Sequence, residues 1–526
     1  MSLNFTSFFF YIFIVVIAFT YYMVKKYQWI VLLFFSLIFY ATWGWKAIPF
    51  IFASSVIAYY AALSITGRYT KCDDQINELT GSGADKAEIG KVKKTAKDHN
   101  RVILVISVIL MLSLLVYVKA GNLLVGALSL SGEVSIIVPV GISYYTFSLI
   151  GYVADCYWRK EQAEGNYYKL LLFAAYFPKV LQGPISKYRD LAPQLFSTHQ
   201  FDYKKLCYGI QRMLWGYFKK LVIADRLALF VNEVYGDYVH KSGSMLLVAT
   251  VFGAFQLYCD FSGCMDIACG FSEILGIKLE ENFRRPFFSE SAAEFWRRWH
   301  ITLGVWFKDY VYMPLSVSPR MMKLMSRVKS RFGMSVAKHV GTVLSLSVVW
   351  ILTGLWHGTG WNYVVWGVYW GILIILGVLL EPAYRRLAEL CHINTDSPEW
   401  RLFRRVRTFL LFMISRVLTI PGDIRISWDV FGRILTKFKP WELVDGKIFT
   451  MGLDRANFTA VSIFLILLLH VSRYQEAGDG RSVRDWLSER QIVARWILLY
   501  ALFFGILIFG IYGPGYDASS FVYMKY

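Results

Sequence analysis

Charge is what this 526-residue sequence has least of. Asp, Glu, Lys and Arg make up 18% of it, against roughly 25% in soluble chains. Hydrophobic residues supply 56% and aromatic residues 17%, and the mean hydropathy is +0.43. That balance excludes an ordinary soluble globule. Metal-like cysteine spacing is also missing. Cys259, Cys264 and Cys269 step by five residues, which turns each about 140° from the last on a helix. They share no face and form no CxxC pair, so these three read as small, inert, buried side chains and no metal is expected. The chain has no G-x-S-x-G, no P-loop and no dinucleotide fingerprint in context. Internal repeats, low-complexity segments and a separable soluble domain are absent as well.

What is present is a set of apolar runs long enough to cross a bilayer, for which about 20 residues suffice. The net charge of +19 belongs to the loops beside those runs, as the positive-inside rule expects. It is therefore read as membrane topology and contact with lipid, not as nucleic-acid binding. The fold class is all-α and polytopic, with about 11–13 spans.

The first run, Phe5 to Val24, has no basic segment before it and is followed by Lys25 and Lys26. It reads as an uncleaved span with the N-terminus outside. Gln28 to Trp45 and Ala47 to Ile65 give two more spans. Residues 66–101 then read as a long polar loop, whose Lys86, Lys91, Lys93, Lys94, Lys97 and Arg101 place it in the cytoplasm. Val102 to Val118 and Val134 to Ala154 follow as spans. Near the other end, Phe458 to Val471 and Trp496 to Tyr512 read as the last spans. The arginines between them, Arg473 to Arg495, put that link inside and the terminal YGPGYDASSFVYMKY outside.

Between these ends the pattern breaks. Pro178, Pro184 and Pro193 interrupt the apolar run that begins at Tyr167, and lipid-exposed backbone cannot be left unpaired. This stretch is read either as a kinked structural helix or as a re-entrant wall; in both cases it must be covered by protein or water. Residues 204–242 read as an amphipathic interfacial stretch with Lys219 and Lys220 at the surface. Ser244 to Ile277 is apolar but holds CDFSGCMD, and Asp260, Ser262 and Asp266 there suggest a helix break facing a polar interior.

The stretch Ser291 to Gly371 carries the strongest chemical signal. Ser291-Ala-Ala-Glu294 is a capping box that starts a helix near Ala292. Trp296, Trp299, His300, Leu303 and Phe307 follow helical spacing, so one face is expected to carry them all. Gly341 to Gly358 and Trp361 to Leu380 flank HGTGWN, where Gly358 and Gly360 break the helix, and Gly367-x-x-x-Gly371 suits close packing. His300 and His357, each beside a tryptophan (Trp299 and Trp356), border membrane-length apolar sequence, where ionisable groups are costly. Their spacing makes no zinc site. It leaves a histidine general base that takes a proton from a hydroxyl attacking a thioester. Indole N–H groups and Asn362 are candidate donors to the oxyanion, and Arg297 and Arg298 are candidates for donor phosphates.

The blocks YFPKVLQGPISKY at 176–188, QLYCDFSGCMDIACGFSEILGI at 256–277, ENFRRPFFSESAAEFWRRWHITLGVWFKDYVYMPL at 281–315 and GLWHGTGWNYVVWG at 354–367 resemble the membrane-bound O-acyltransferase family. The similarity is closest to its alginate O-acetyltransferase and teichoic-acid D-alanyl transferase branch. It implies a ring of helices with broken or re-entrant members around a central tunnel, formed by one integral-membrane domain over 1–526 with a core at 140–380. It implies His357 as the essential histidine and His300 as its partner. Trp299, Arg297, Arg298, Trp356, Asn362, Asp309 and Gln182 complete the implied substrate-binding set. After YMPL the segment reads SVSPRMMK, a departure from the glycine-asparagine turn of alginate-type members.

The resulting expectation is a cell-membrane enzyme with no bound cofactor. Acetyl-CoA or another acyl thioester, carried by coenzyme A or a carrier protein, is the cytoplasmic donor. A secreted or surface polysaccharide, or an extracytoplasmic acetyltransferase- or esterase-like protein, receives the acetyl group. The alternatives are D-alanyl transfer from a carrier protein to teichoic acid and a non-catalytic subunit of polysaccharide export.

Overall fold

The computed structural model describes residues 3–127, 139–358, 360–477 and 482–512. Among the described residues every regular element is helical. Seven helices are long and apolar enough to cross a membrane, and Phe8–Met23 and Gln28–Thr42 are shorter apolar ones. This is an all-α polytopic membrane protein. Several other stretches counted among the 11–13 spans fold as short helices. The chain divides into two compact units, Met1–Ile210 with Ala268–Glu280, and Gln211–Ile267 with Glu281–Tyr526.

The first unit starts with α1 (Phe8–Met23), α2 (Gln28–Thr42), α3 (Ile48–Gly81) and α4 (Lys86–Ala127). The polar loop expected at 66–101 is not a loop. Instead α3 runs on to Gly81 and α4 begins at Lys86, leaving a turn in which Gly83 takes φ +78°. The physical reason is that this stretch has no proline to stop either helix, so polarity there marks a solvated helix surface rather than irregular chain. Asn100 Nδ2 donates to the Ile65 carbonyl at 3.1 Å and ties the two helices together.

Next come α5 (Ile142–Tyr157), α6 (Tyr167–Ala175), α7 (Phe177–Val180) and α8 (Tyr188–Phe196). The proline-broken run is short helices, as its sequence required, and residues 170–186 are buried without interruption. Side chains and turns satisfy the freed backbone: Ser36 Oγ accepts from Phe177 N–H at 3.2 Å, and Lys179 O accepts from Gly183 N–H at 2.9 Å. The Val134–Ala154 span begins outside the described residues.

The second unit takes up the end of α9 (Tyr203–Tyr217), then a π-helical segment Phe218–Ala224, α10 (Asp225–Gly236) and most of α11 (Gly243–Ile274). Two expectations fail here for one reason. Lys219 and Lys220 are not at the surface; they are 4% and 1% exposed. And α11 runs through CDFSGCMD without a break. Gly216 and Gly263 let backbones approach: a Cβ on Gly216 would stand 2.6 Å from the Gly263 carbonyl oxygen. That approach places the lysines against the acids of α11. Lys219 Nζ lies 2.6 Å from Asp266 and 2.9 Å from Ser262 Oγ. Lys220 Nζ lies 2.6 Å from Asp260 and 2.7 Å from Asp225. Arg212 adds a bond to Asp266 at 3.0 Å and one to Glu281 at 2.6 Å.

After α12 (Ala292–Arg298), α13 (Ile301–Phe307) and α14 (Met313–Ser316), the chain forms α15 (Pro319–His357) and α16 (Trp361–Leu379). Helix α15 is bent at Gly333, whose φ of +86° a side chain would oppose. Then follow α17 (Glu381–Leu390), α18 (Pro398–Thr419), α19 (Ile424–Thr436), α20 (Arg455–Ala477), α21 (Val483–Ser488) and α22 (Ile492–Phe509). The tail expected outside lies, beyond Tyr512, outside the described residues.

Candidate active site

His357 is the last residue of α15, and the HGTGWN connection turns the chain straight into α16. The turn is tight for a steric reason: a Cβ on Gly358 would sit 2.2 Å from the Tyr363 ring. The two helices pack backbone to backbone, since a Cβ on Gly367 would meet the Trp350 carbonyl at 2.5 Å and one on Gly354 the Tyr363 carbonyl at 2.5 Å. His357 is thereby held at a helix end, 7% exposed.

His300 arrives by a different route. Ser291 caps α12 as its sequence required, accepting from Glu294 N–H at 3.1 Å, while the Glu294 carboxylate reaches the Glu290 N–H at 2.8 Å. The expected single helix face is not formed, because α12 stops at Arg298. Trp299 is extended and His300 takes φ +47°. A non-glycine residue in that left-handed region costs on the order of 1–3 kcal/mol and is kept only where neighbours enforce it. Asn282 enforces it here. Its carbonyl accepts from Ile301 N–H at 3.0 Å, and its Oδ1 accepts from Thr302 N–H at 3.0 Å and Thr302 Oγ1 at 2.7 Å. Arg284 N–H also donates to the Arg298 carbonyl at 2.9 Å. His300 lies between spans α11 and α15 and is 2% exposed, and burial lowers its imidazole to about 3. It is a neutral ring at working pH.

The break brings the two histidines to one tryptophan. The Trp356 ring centroid is 5.8 Å from His300 and 4.7 Å from His357. Trp366 closes the other side of His357 at 4.8 Å, and Phe261 meets the His300 ring edgewise at 4.9 Å. His357 lines a cavity of about 30 Å³ together with Trp296, Trp299, Tyr363, Trp366, Phe412 and Arg416. That volume suits a water molecule or a group of similar size.

The remaining sequence-derived candidates fall in different places. Trp299 lines the cavity, and Trp356 joins the histidines. Asn362, 1% exposed, sits in the first turn of α16, and its Nδ2 has no acceptor among the described residues. Arg298 is occupied by Glu294 at 2.7 Å and Glu476 at 2.8 Å. Arg297 is exposed. Asp309 is half-buried in the π-helical segment Lys308–Tyr312, apart from the residues that line the cavity. Gln182 belongs to the first unit, where it is buried with neither amide atom hydrogen-bonded among the described residues. Sequence reasoning missed Asn282 and Arg416. The signal for Arg416 was a lone arginine in the apolar end of α18, FLLFMISRVLT.

The arrangement is an aromatic-lined pocket with one imidazole at its wall, which suits proton transfer at a carbonyl. The model of MBOAT, the membrane-bound O-acyltransferase family, matches residues 156–420. The chain is 30% identical over 360 residues to the probable alginate O-acetylase AlgI of Pseudomonas syringae pv. tomato, covering 66% of this chain and 62% of that protein. It is 28% identical over 416 residues to the peptidoglycan O-acetyltransferase of Helicobacter pylori, covering 72% and 70%. It is 29% identical over 246 residues to the teichoic acid D-alanyltransferase of Bacillus subtilis, covering 45% and 58%. The chain thus spans about three fifths of the length of the alginate O-acetylases it matches. With His357, its tryptophans and α15–α18 all inside the matched residues, the chain belongs to the membrane-bound O-acyltransferase family.

Proposed function

We propose that this protein is a membrane O-acyltransferase that moves an acetyl group from a cytoplasmic thioester toward a secreted or cell-surface polysaccharide. The observation that carries the reading is His357, held between Trp356 and Trp366 at the wall of an aromatic-lined cavity. A hydroxyl oxygen attacks the thioester carbonyl while the His357 imidazole takes its proton. The C–O bond forms, and a tetrahedral oxyanion results. When it collapses, the C–S bond breaks and the imidazolium returns the proton to the departing thiolate. No proton or electron is left over. His300, neutral and wedged between Phe261 and Trp356, positions the Trp356 ring against His357.

The donor enters as acetyl-CoA or as an acyl group on a carrier protein. Arg297, the exposed cation next to the ion-paired Arg298, is the residue for its phosphates. The alginate and peptidoglycan acetylating relatives support acetyl over D-alanyl. Acceptance of the acetyl group by a polysaccharide or an extracytoplasmic partner follows from the orientation read from charge, with Met1 outside and the α3–α4 turn in the cytoplasm. Purified full-length protein in lipid nanodiscs, given acetyl-CoA and an oligosaccharide with free hydroxyls as acceptor, is expected to release free thiol. No release above a protein-free control contradicts the assignment. Orientation is tested separately by impermeant thiol labelling of intact cells. A cysteine at Ser520 is expected to react and one at Ser82 not to; the reverse pattern overturns the direction of transfer.

A further inference from the structure

Arg416 is buried in the wall of the cavity that holds His357, 5% exposed, in the last turn of α18. A guanidinium is a cation with five N–H donors, and burying one without an anion is costly. Elsewhere in the second unit the buried lysines are paired, Lys219 and Lys220 each meeting a carboxylate at 2.6 Å, and the buried Arg226 is held by two neutral acceptors, Asn457 Oδ1 and the Phe509 carbonyl. Arg416 has no carboxylate in ion-pair range among the described residues. Among the described residues its side chain bonds through Nη1 to Thr419 Oγ1 at 2.8 Å, a neutral acceptor, and its Nε has no acceptor there. Trp296 lines the same cavity, and its Nε1–H is likewise buried without an acceptor. Buried donors are nearly always satisfied, so each such group calls for a partner that arrives with substrate.

We propose that Arg416, assisted by the Trp296 N–H, is the anion-stabilising catalytic residue of this pocket and that its charge selects a neutral acyl group over an aminoacyl group. The inference rests on the acyl-transfer reading above and specifies it. The cavity wall decides what the cation meets: aromatic side chains and the His357 imidazole line it, so the group that reaches Arg416 is the reacting end of a substrate. The charge that develops at that end is the carbonyl oxygen of the thioester as the hydroxyl adds to its carbon. It becomes an oxyanion while His357 holds the proton, and reverts to a carbonyl when the thiolate leaves. Donors fixed in advance at such a point act mainly on turnover and little on donor binding. The same fixed cation repels an α-ammonium group at short range in a low-dielectric pocket. A D-alanyl thioester carries that group, and an acetyl thioester does not.

The test uses the full chain in nanodiscs with an oligosaccharide acceptor that carries free hydroxyls, and thiol release is measured from acetyl-CoA and from D-alanyl-CoA. For Arg416→Gln, kcat with acetyl-CoA is expected to fall on the order of 10²–10³-fold, as for loss of an oxyanion donor. KM is expected to stay within about threefold. Arg416→Lys, which keeps charge but not geometry, is expected to lie between wild type and Gln. The ratio of D-alanyl to acetyl turnover is expected to rise in the Gln variant. Wild-type kcat in a folded Gln variant overturns the role. So does a loss of activity, equal in Gln and Lys, that only tracks a fall in thermal midpoint, because that marks structural support. Absence of thiol release by the wild type from both donors overturns the acyl-transfer reading itself, and this role with it.

Discussion

Two buried polar clusters in the second unit are built to opposite rules. Around the π-helical segment, three cations, Arg212, Lys219 and Lys220, meet four carboxylates, and every cation has a carboxylate within 3.0 Å. Around His357 there is no such closure: imidazole, guanidinium and indoles share a small cavity with no carboxylate on its wall. Closed networks fix register between helices; open ones wait for a substrate to complete them. The contrast separates what holds this molecule together from what acts, although both lie in apolar sequence and both look like misplaced charge.

The sharpest way to break the comparison is to open the closed cluster. Lys220→Met leaves Asp225 and Asp260 buried without their cation, and the loss is expected to be about 3–5 kcal/mol of stability. Thermal or denaturant unfolding in nanodiscs measures it, with turnover per folded molecule near wild type. A stable variant with low turnover would make this cluster part of the chemistry. A smaller loss is expected from Asn282→Ala, which removes the Oδ1 acceptor of two hydrogen bonds that hold the left-handed His300. About 1–3 kcal/mol is expected from the donors left unpaired, together with a drop in turnover that His357 itself does not explain. Unchanged turnover would show that the backbone at His300 needs no clamp.

The clamp also shows where the sequence could be read and where it could not. Local signals were reliable: Ser291 caps α12, the HGTGWN glycines separate α15 from α16, and the prolines after Tyr176 break the chain into short buried helices. Each rests on residues within a turn of one another. The failures involve partners far away in sequence. The 3–4 spacing of Trp296, Trp299 and His300 continues across a real break, because the residue that enforces the break is Asn282, 20 positions from Thr302. Lys219 and Lys220 carry the pattern of an interfacial helix, and their partners are 47 and 40 positions away from them. In residues 66–101 polarity pointed to a loop, although no proline there stops the helices that enter from either side. Arg416 passed unread because a single arginine near a helix end is ordinarily a snorkelling one.

A pH experiment sharpens the neutral character of His300. Its imidazole is lowered to about 3 in the folded protein, against about 6.5 in the unfolded chain. Between those values the unfolded chain binds the proton and the folded one does not. The associated stability is therefore full above pH about 6.5 and is lost progressively as pH falls toward 3. The upper part of that window lies above the carboxylate range of about 4, so a decline there that His300→Gln lacks is the expected signature. Identical pH profiles would show that His300 charges freely in the folded state. The smallest effect is expected at Arg297. Arg297→Gln is expected to raise the KM for acetyl-CoA about threefold to tenfold with kcat unchanged, as for uniform binding, whereas Arg298→Gln acts on stability by removing its ion pairs with Glu294 and Glu476. A KM untouched by Arg297→Gln would remove the phosphate role.

The central claim is that the open cluster does the chemistry, and His357 tests it most directly. In single-turnover experiments with acetyl-CoA, His357→Ala is expected to stay folded, with a thermal midpoint near wild type, while acyl transfer falls on the order of 10²–10⁴-fold, the range for losing a general base. A folded His357→Ala protein that transfers acetyl at a rate near wild type would contradict the claim.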